Sequence, residues 1–365
     1  MQDNKVKLLL ITARTDVGGG PKSVLMLSKY LSEDFDLYIA CPNNPPYFDL
    51  YKQNERVKGF YFIPHRKFLL NRYFGLVLFT IKNRIQIINS NGTGAGLYSR
   101  LLKITCPWVK IVHTFRGVNT KNVGSIKSNV YFFYERLFSY LTNNFINVSH
   151  GEQNVCLEQG FFSKKKSIVI HNGIEMLYTT GILKNDFENK FVITTLSRFD
   201  YPKNMLLSYQ IAQRLKNYPD IVFLWIGDGD DKAELEILAR QNNLNIVFPG
   251  FKNNIADYLS VSSLYLSTSR WEGLPLGLLE AISLGIPIVA SDIVGNNEVV
   301  ENGINGFLFD LNNIETAVNS ILKLYNDKEL RKRFSIAAKS SFVNKFSAEI
   351  MANNSSAFFK KIVNS

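Results

Sequence analysis

Short apolar, β-branched runs recur along the whole chain, and segments with helical spacing separate them. The runs are continuous rather than alternating, which is typical of parallel strands that are covered by helices on both faces. A first series lies at 7–13, 36–42, 60–64, 85–90, 109–115, 144–149 and 167–173. A second series lies at 191–198, 221–229, 245–250, 263–270 and 286–292.

Two such series predict an α/β fold of two Rossmann-like, doubly wound domains that face each other across a cleft. A chain of 365 residues is also long for a single core. We expect an N-terminal domain over 1–174, a linker over 175–190, a C-terminal domain over 191–345 and a last helix over 346–365. Ligands of such folds bind beyond the carboxyl ends of the strands, so motifs at those ends are the candidates for chemistry.

Positive charge is concentrated in the first half of the chain. The net charge is +11, and residues 1–180 contain 23 Lys and Arg against 11 Asp and Glu, whereas the remainder contains 19 and 20. Basic and aromatic residues mix in 58–79 and again in 130–141. These segments are either a surface for an anionic membrane, with a lipid-linked acceptor between the domains, or core helices with ordinary solvated charges.

Cysteine usage and the N-terminus indicate the compartment. Cys41, Cys106 and Cys156 form neither a metal-binding pattern nor a disulfide framework, which suits a reducing cytoplasm. The apolar run near the N-terminus is too short for a signal peptide, and no run reaches the roughly 18 apolar residues of a membrane span. We expect a cytoplasmic protein, and the two interpretations of the basic segments leave open a peripheral contact with the inner face of the plasma membrane.

The segment SRWEGLPLGLLEAISLGIPIVASD contains two glutamates, Glu272 and Glu280, in otherwise almost wholly apolar surroundings. Burying an ionised carboxylate without a partner is costly. Pro275 suits the first turn of a helix, so Glu272 precedes that helix and Glu280 lies inside it, on the order of 10 Å away at about 1.5 Å per residue. A ribose joined through a diphosphate to a sugar spans such a length. A solvent-facing Glu280 on a half-buried helix is the alternative.

Groups that suit a diphosphate follow neighbouring strands. Arg198 ends the first strand of the second series, and Lys203 follows it in a loop. A diphosphate needs cations that reach it from one side, and arginine binds phosphate oxygens in bidentate fashion. The free N–H groups near Leu276 and Gly277 would face the same phosphates. Two basic residues beside a loop are also commonly only solvated.

Glycines follow two strands of the first series. Gly18, Gly19 and Gly20 open the first helix and let backbone N–H groups approach a phosphate or a sugar. GTGAG at 92–96 resembles a dinucleotide fingerprint but lacks its spacing. Cys41 stands where such a fold usually has a ribose-binding acid, so we expect no nicotinamide cofactor.

Two further features have two interpretations each. His113 ends a buried strand, and it either faces the cleft or is a packed core residue. Asp228-Gly229-Asp230 matches the Asp-X-Asp pattern that holds a metal on a diphosphate in some sugar transferases, but an acidic helix start is also ordinary. Because the two cations can already neutralise a diphosphate, we expect no metal.

Together these motifs resemble the retaining nucleotide-sugar glycosyltransferases of family 4, often called group 1, which have the two-domain GT-B fold. The resemblance is most specific over 191–310, through the glutamate pair, SRFDYPKN, GDGDDKAELE and VVENGINGFLF. GGGPKSV, HTFRG and HNGI extend it more loosely into the first half. One departure is Gly20-Pro21-Lys22, where relatives often have a small residue followed by Glu.

The resemblance implies roles for individual residues. Arg198 and Lys203 would bind the donor diphosphate, Glu280 the ribose and Glu272 the donor sugar, and His113 resembles the family histidine that hydrogen-bonds the sugar near the reacting carbon. The implied catalytic residues are His113, Glu272, Arg198 and Lys203. The implied donor-binding residues are Gly18, Gly19, Gly20, Arg198, Lys203, Gly227, Phe251, Glu272, Gly273, Leu276, Gly277 and Glu280. The last helix resembles one that crosses back to the first domain.

The prediction is therefore a retaining glycosyltransferase that moves a sugar from a nucleotide diphosphate, expected to be UDP, to a glycan or lipid-linked acceptor in bacterial lipopolysaccharide or capsule assembly. We expect no cofactor, no metal and no nucleic-acid partner. One alternative is a sugar-nucleotide epimerase of the same architecture, which would convert the donor without an acceptor. Another is a basic nucleic-acid-binding protein, which would leave the glutamate pair unexplained.

Overall fold

A computed structural model describes residues 5–118 and 126–364 of the chain. Residue contacts divide it into two compact units. The N-terminal unit comprises Met1–Ile174 and Ser347–Ser365, and the C-terminal unit comprises Glu175–Phe346. Each unit contains one parallel sheet flanked by helices, so the prediction of two Rossmann-like domains is confirmed.

The N-terminal unit contains a seven-stranded parallel sheet in the order β3-β2-β1-β4-β5-β6-β7. Its strands are β1 (Val6–Thr12), β2 (Phe35–Cys41), β3 (Val57–Phe62), β4 (Ile87–Asn91), β5 (Lys110–Thr114), β6 (Asn144–Asn147) and β7 (Ser167–Val169). The helices between them are α1 (Gly19–Tyr30), α2 (Tyr47–Lys52), α3 (Leu70–Lys82), α4 (Thr93–Thr105), α5 (Ile126–Ser139) and α6 (His150–Glu158). The strand order reverses between β1 and β4, where the loops after the strands diverge.

The C-terminal unit contains a six-stranded parallel sheet in the order β10-β9-β8-β11-β12-β13. Its strands are β8 (Phe191–Leu196), β9 (Ile221–Ile226), β10 (Ile246–Gly250), β11 (Leu264–Ser267), β12 (Ile288–Ser291) and β13 (Gly306–Phe309). Its helices are α7 (Met205–Arg214), α8 (Lys232–Gln241), α9 (Ile255–Ser260), α10 (Leu276–Ser283), α11 (Asn296–Val299), α12 (Ile314–Asn326) and α13 (Lys328–Ser341). Here the order reverses between β8 and β11.

The last helix, α14 (Ala348–Val363), follows the C-terminal unit in sequence but belongs to the N-terminal unit. Its first amide, on Ala348, donates to the carbonyl of Ile174 at 2.9 Å. Phe359 packs edge to face on Phe35, with ring centroids 6.2 Å apart. Close packing also explains Gly173, because a Cβ there would lie 2.2 Å from the carbonyl oxygen of Ser347.

The strands are apolar on both faces because helices cover both faces. Every residue of β9 is buried, as are Leu8 to Ile11 of β1. Three free cysteines, Cys41, Cys106 and Cys156, are also buried. Among the residues described, no helix is both long and apolar enough to cross a membrane.

A buried ion pair fixes α5 against α4. Arg100 of α4 and Glu135 of α5 are both fully buried, and their Nη2 and Oε2 atoms are 2.7 Å apart. Arg100 also donates from Nε to the hydroxyl of Thr142 at 3.2 Å. Burial raises the pKa of Glu135, and the charge of Arg100 opposes that shift. Removing one partner would leave the other charge buried without compensation.

We predict that Glu135→Ala lowers the free energy of unfolding by about 3–5 kcal/mol, because the buried charge of Arg100 loses its carboxylate partner. The matched control is Glu315→Ala, which breaks the exposed ion pair with Arg214 and should cost no more than about 1 kcal/mol. Differential scanning calorimetry compares the two variants. Equal losses of stability would contradict the role given to the buried pair.

Candidate functional site

The strand reversal in the C-terminal unit brings two of the predicted site residues into direct contact. Lys203 lies in the loop after β8, and Glu272 lies in the segment after β11. The Lys203 Nζ and Glu272 Oε1 atoms are 2.5 Å apart. The hydroxyl of Ser269 donates to the same carboxylate oxygen at 2.8 Å. A cation and a carboxylate are therefore held together where this fold usually binds its ligands.

Hydrogen bonds join the two segments that carry this pair. The Thr268 hydroxyl donates to the carbonyls of Lys203 at 3.2 Å and Asn204 at 3.1 Å. In the other direction, the amide of Arg270 donates to the carbonyl of Pro202 at 2.7 Å. Asn204 has a left-handed backbone with φ 55° and precedes α7. The loop after β8 and the segment after β11 thus fold as one piece, which fixes the direction of the Lys203 side chain.

Glu280 is buried rather than solvent-facing. It is the fifth residue of α10, and only 6% of its surface is exposed. Pro275 is the N-cap residue of this helix, one position earlier than we predicted, so its missing N–H still costs no helical hydrogen bond. The opening of α10 has no side-chain cap and no acidic residue in its first turn. The N–H groups of Leu276 and Gly277 therefore have no competing side-chain acceptor from the cap residue.

Tyr265 on β11 lies within the electrostatic influence of both glutamates, and the sequence did not predict it as a site residue. Burial, followed by the negative charges of Glu280 and Glu272, raises its pKa. Its hydroxyl donates to the carbonyl of Leu196 at 3.1 Å. A Cβ on Gly277 would lie 2.4 Å from that hydroxyl, so only glycine lets α10 approach the sheet this closely. A tyrosine inside an apolar strand has no sequence pattern that marks such a role.

Arg198 follows β8 closely, and the Gly-Asp-Gly turn after β9 lies on the side of β8 away from β11. The Arg198 side chain is half exposed and pairs with Asp200, with Nη2 and Oδ2 3.0 Å apart. Gly227 has φ 140°, and a Cβ there would lie 1.8 Å from the carbonyl oxygen of Ser197. The turn after β9 is therefore pressed onto the end of β8, beside Arg198.

The remaining predicted residues of the C-terminal unit lie near these strand ends. Gly273 is buried, and its carbonyl oxygen would be 2.6 Å from a Cβ on Gly295. Phe251 directly follows β10 and is exposed. Asp228 and Asp230 are both exposed, and the Asp228 carboxylate accepts from the amide of Gly229 at 2.9 Å. The expectation that no metal binds there stays a prediction.

In the N-terminal unit, the predicted glycine loop opens α1. Gly18 is the N-cap residue, and the helix begins at Gly19 without a side-chain cap. A Cβ on Gly20 would meet nothing within 4 Å, so packing alone does not explain why this residue is glycine. A Cβ on Gly18 would meet only the end of the Arg14 side chain, at 3.3 Å. The contact of this loop with a phosphate or a sugar stays a prediction.

His113 is completely buried, as the packed-residue interpretation expects. Its Nδ1 is 2.9 Å from the hydroxyl of Ser90, and a Cβ on Gly96 would lie 2.8 Å from its Cε1. Burial, and then the charges of Arg100 and Arg116, lower its pKa well below the usual range, so the ring is neutral at pH 7. Its Nε2 atom is buried and has no hydrogen-bond partner among the described residues. The predicted role of His113 in hydrogen-bonding a sugar stays a prediction.

Two family models match consecutive parts of the chain. The model described as Glycosyltransferase Family 4 matches residues 17–176, and the model described as Glycosyl transferases group 1 matches residues 183–341. Together they span both units apart from the chain ends and a short segment between the matches. The chain belongs to the family 4, group 1 glycosyltransferases. The predicted family and the predicted enzyme class are confirmed.

Relatives of this glycosyltransferase are similar over most of its length. The UDP-Gal:alpha-D-GlcNAc-diphosphoundecaprenol alpha-1,3-galactosyltransferase of Escherichia coli is 28% identical over 325 residues, 82% of each chain. The O-antigen biosynthesis glycosyltransferase WbnH of Escherichia coli is 25% identical and covers 91% of this chain and 94% of its own. The crystal structure of Anabaena Alr3699/HepE with UDP and glucose has a TM-score of 0.82 at 18% identity, covering 98% of this chain and 100% of that one. This last likeness shows the fold.

We predict that Gly20→Ala lowers sugar transfer by at least tenfold while leaving the protein as stable as before or more stable by up to about 1 kcal/mol. Alanine is the better helix former, and its Cβ meets nothing in this structure, so a loss of activity would come from a ligand that needs the space. Thermal unfolding and initial rates are measured together. Unchanged rates would remove Gly20 from the site.

Proposed function

We propose that this enzyme transfers a sugar from UDP to a hydroxyl of a glycan or lipid-linked acceptor in surface polysaccharide assembly, with retention at the anomeric carbon. The observation that carries the proposal is the Lys203–Glu272 pair at the strand reversal, with Glu280 buried in the adjoining helix. Relatives support the substrate class, because one is named for UDP-Gal and a diphosphoundecaprenol acceptor and another for O-antigen biosynthesis. HepE has been crystallised with UDP-glucose.

The diphosphate would be held by cations that are already paired with carboxylates. Lys203 is paired with Glu272, and Arg198 with Asp200. Two unit charges about 4 Å apart interact by roughly 4 kcal/mol at an effective dielectric constant near 20. A diphosphate that approaches both cations brings more negative charge than either carboxylate, so it can compete for them. Glu272 is then released to hydrogen-bond the hydroxyl groups of the donor sugar.

The nucleoside would be recognised by Glu280, with the ribose hydroxyls donating to its carboxylate. Burial keeps bulk water from competing for such hydrogen bonds. The first-turn N–H groups of α10, near Leu276 and Gly277, suit the phosphates between ribose and sugar. This arrangement gives both glutamates of the motif a polar function, which answers why the chain places them in an apolar segment.

The reaction breaks the bond between the anomeric carbon and the diphosphate oxygen and forms one to the acceptor oxygen on the same face of the sugar. The acceptor proton moves to the departing phosphate oxygen, so the reaction needs no separate base. Negative charge develops on the diphosphate, where Lys203, Arg198 and the α10 N–H groups would stabilise it. These groups supply the charge that a metal supplies in other enzymes, so we propose that transfer is independent of metal.

We predict that Lys203→Gln lowers kcat/KM for a UDP-sugar by at least 100-fold and that the double variant Lys203→Gln with Glu272→Gln does not recover it. If Lys203 served only to neutralise Glu272, removing both charges would restore function. The exposed Lys332 provides the control, because Lys332→Gln should leave the rate unchanged.

The assay is run with a chelator, and the anomeric configuration of the product is determined by NMR. Transfer that persists in the chelator and retains the configuration agrees with the proposal. Recovery in the double variant, dependence on metal or inversion of configuration would each contradict the corresponding part of it.

A second part of the proposal is that the N-terminal unit docks on an anionic membrane through α3. The helix exposes an apolar stripe, with Leu70, Phe74, Leu78 and Ile81 at helical spacing. Exposed basic residues surround the stripe: Arg66, Lys67, Arg72, Lys82 and Arg84. The sequence contains no Asp or Glu between Glu55 and Glu135. Of these basic residues, Arg66 pairs with Asp16, with Nη2 and Oδ2 3.4 Å apart. Apolar contact combined with a predominantly basic surround suits a bilayer with acidic head groups.

We predict that the protein floats with vesicles containing acidic phospholipid and that Leu70→Ser with Phe74→Ser abolishes flotation. The control is Ile336→Ser, at an exposed position of the C-terminal unit, which should leave flotation unchanged. Vesicles of zwitterionic lipid alone should bind weakly, because attraction of basic side chains contributes about 1 kcal/mol each near an anionic surface. If flotation depends neither on acidic lipid nor on the Leu70→Ser, Phe74→Ser change, α3 is not the membrane-binding surface.

A further inference from the structure

Arg116 joins three strand ends of the N-terminal unit. It directly follows β5, and its Nη2 donates to Oδ1 of Asn91, the last residue of β4, at 2.6 Å. Its Nη1 donates to Oδ1 of Asn172, in the loop after β7. The hydroxyl of Ser23 in α1 donates to the same Asn172 oxygen at 3.2 Å. The guanidinium is therefore fixed at the carboxyl edge of the sheet.

Both partners of Arg116 are neutral, so its charge is not paired. Within the described part of the chain, no carboxylate lies within 4.0 Å of its guanidinium nitrogens. Glu152 is the acidic neighbour whose charge acts on it, but the Glu152 carboxylate accepts the amides of Gly117 at 2.6 Å and Val148 at 2.9 Å. The Nε atom of Arg116 is buried without a hydrogen-bond partner. Burial lowers the pKa of Arg116 to about 10, so it is still charged at pH 7.

Arg100, in the same unit, is an arginine that only supports the fold, and its charge is paired. Arg100 is buried deeper than Arg116 and is paired directly with Glu135. An unpaired, partly buried charge costs stability, and it is tolerated where a ligand supplies the missing charge. Arginine carries five N–H donors, and the two asparagines take only two of them.

We propose that Arg116 binds a phosphate oxygen of a substrate and that Asn91 and Asn172 position its guanidinium. The phosphate belongs either to the donor diphosphate or to a diphosphate-linked acceptor, and both offer the oxygen geometry that arginine recognises. The inference rests on the proposed function for the identity of the substrates, but phosphate binding itself does not.

Binding of inorganic pyrophosphate tests the proposal without any transfer assay. Titration calorimetry is performed on the double variant Arg198→Ala, Lys203→Ala. This variant lacks the two cations that we assign to phosphate binding in the C-terminal unit. We expect residual pyrophosphate binding there that Arg116→Gln weakens at least tenfold, that Arg116→Lys weakens less, and that the exposed-residue control Arg240→Gln leaves unchanged. Equal binding with and without Arg116, or no binding in the parent variant, would overturn the proposal.

Kinetics on the otherwise unchanged enzyme identify which substrate carries the phosphate. If the donor carries it, Arg116→Gln raises the KM for the UDP-sugar at least tenfold. If the acceptor carries it, only the KM for a diphosphate-linked acceptor rises, and UDP binding is unchanged. Arg116→Lys covers the case in which Arg116→Gln fails to fold. Wild-type values of both KM constants in a folded Arg116→Lys or Arg116→Gln variant would overturn the proposal, whereas absence of transfer by the wild type would count only against the proposed function.

Discussion

The contact between Lys203 and Glu272 is the interaction on which the C-terminal site depends. It lies where the strand order reverses, at the neighbouring strands β8 and β11, whose following loops run in opposite directions. A lysine held there without a carboxylate would carry an uncompensated, partly buried charge, and a glutamate without the lysine would carry the opposite one. Paired, both charges can stay at the strand ends in the unliganded protein, with Ser269 fixing the carboxylate.

Close backbone packing explains how the surrounding groups are held in place. Gly277 lets α10 lie against the Tyr265 hydroxyl, and Gly227 lets the turn after β9 contact Ser197. Both contacts are closer than any residue with a Cβ allows. The glycines thus set the distances between the cations after β8, the N-terminus of α10 and Glu280 inside it. On the proposed function, they set the length of donor that the unit accepts.

Much of the fold followed from the sequence because the strands are buried on both faces and their apolar runs are continuous. The predicted strands differ from the observed ones mainly at their ends; for example, the strand predicted over 191–198 ends at Leu196. The placement of Lys203 and Glu272 at one edge of the sheet followed from the sequence, since parallel strand ends share one edge, but their direct contact did not. What the sequence could not show is which side chains turn inward, and that is decided by tertiary contacts.

The HTFRG motif illustrates this limit. His113 and Arg116 are three residues apart at the end of β5, and their spacing gives no reason to choose between them. The choice depends on Gly96, which lets α4 pack close to the histidine ring, and on two asparagines, one at the end of β4 and one in the loop after β7, that accept hydrogen bonds from the arginine. Exposure of the α3 stripe was equally open, because an apolar helical face predicts a partner without saying whether that partner is protein or lipid.

A crystal structure of this enzyme with an intact UDP-sugar tests the central claim most directly. The account places the diphosphate oxygens within hydrogen-bonding distance of Lys203 Nζ and the Arg198 guanidinium, and the ribose hydroxyls on the Glu280 carboxylate, with Glu272 no longer bonded to Lys203. Two results would contradict it: a nucleotide bound elsewhere, or a nucleotide bound with the Lys203–Glu272 contact intact and no ribose hydroxyl on the Glu280 carboxylate.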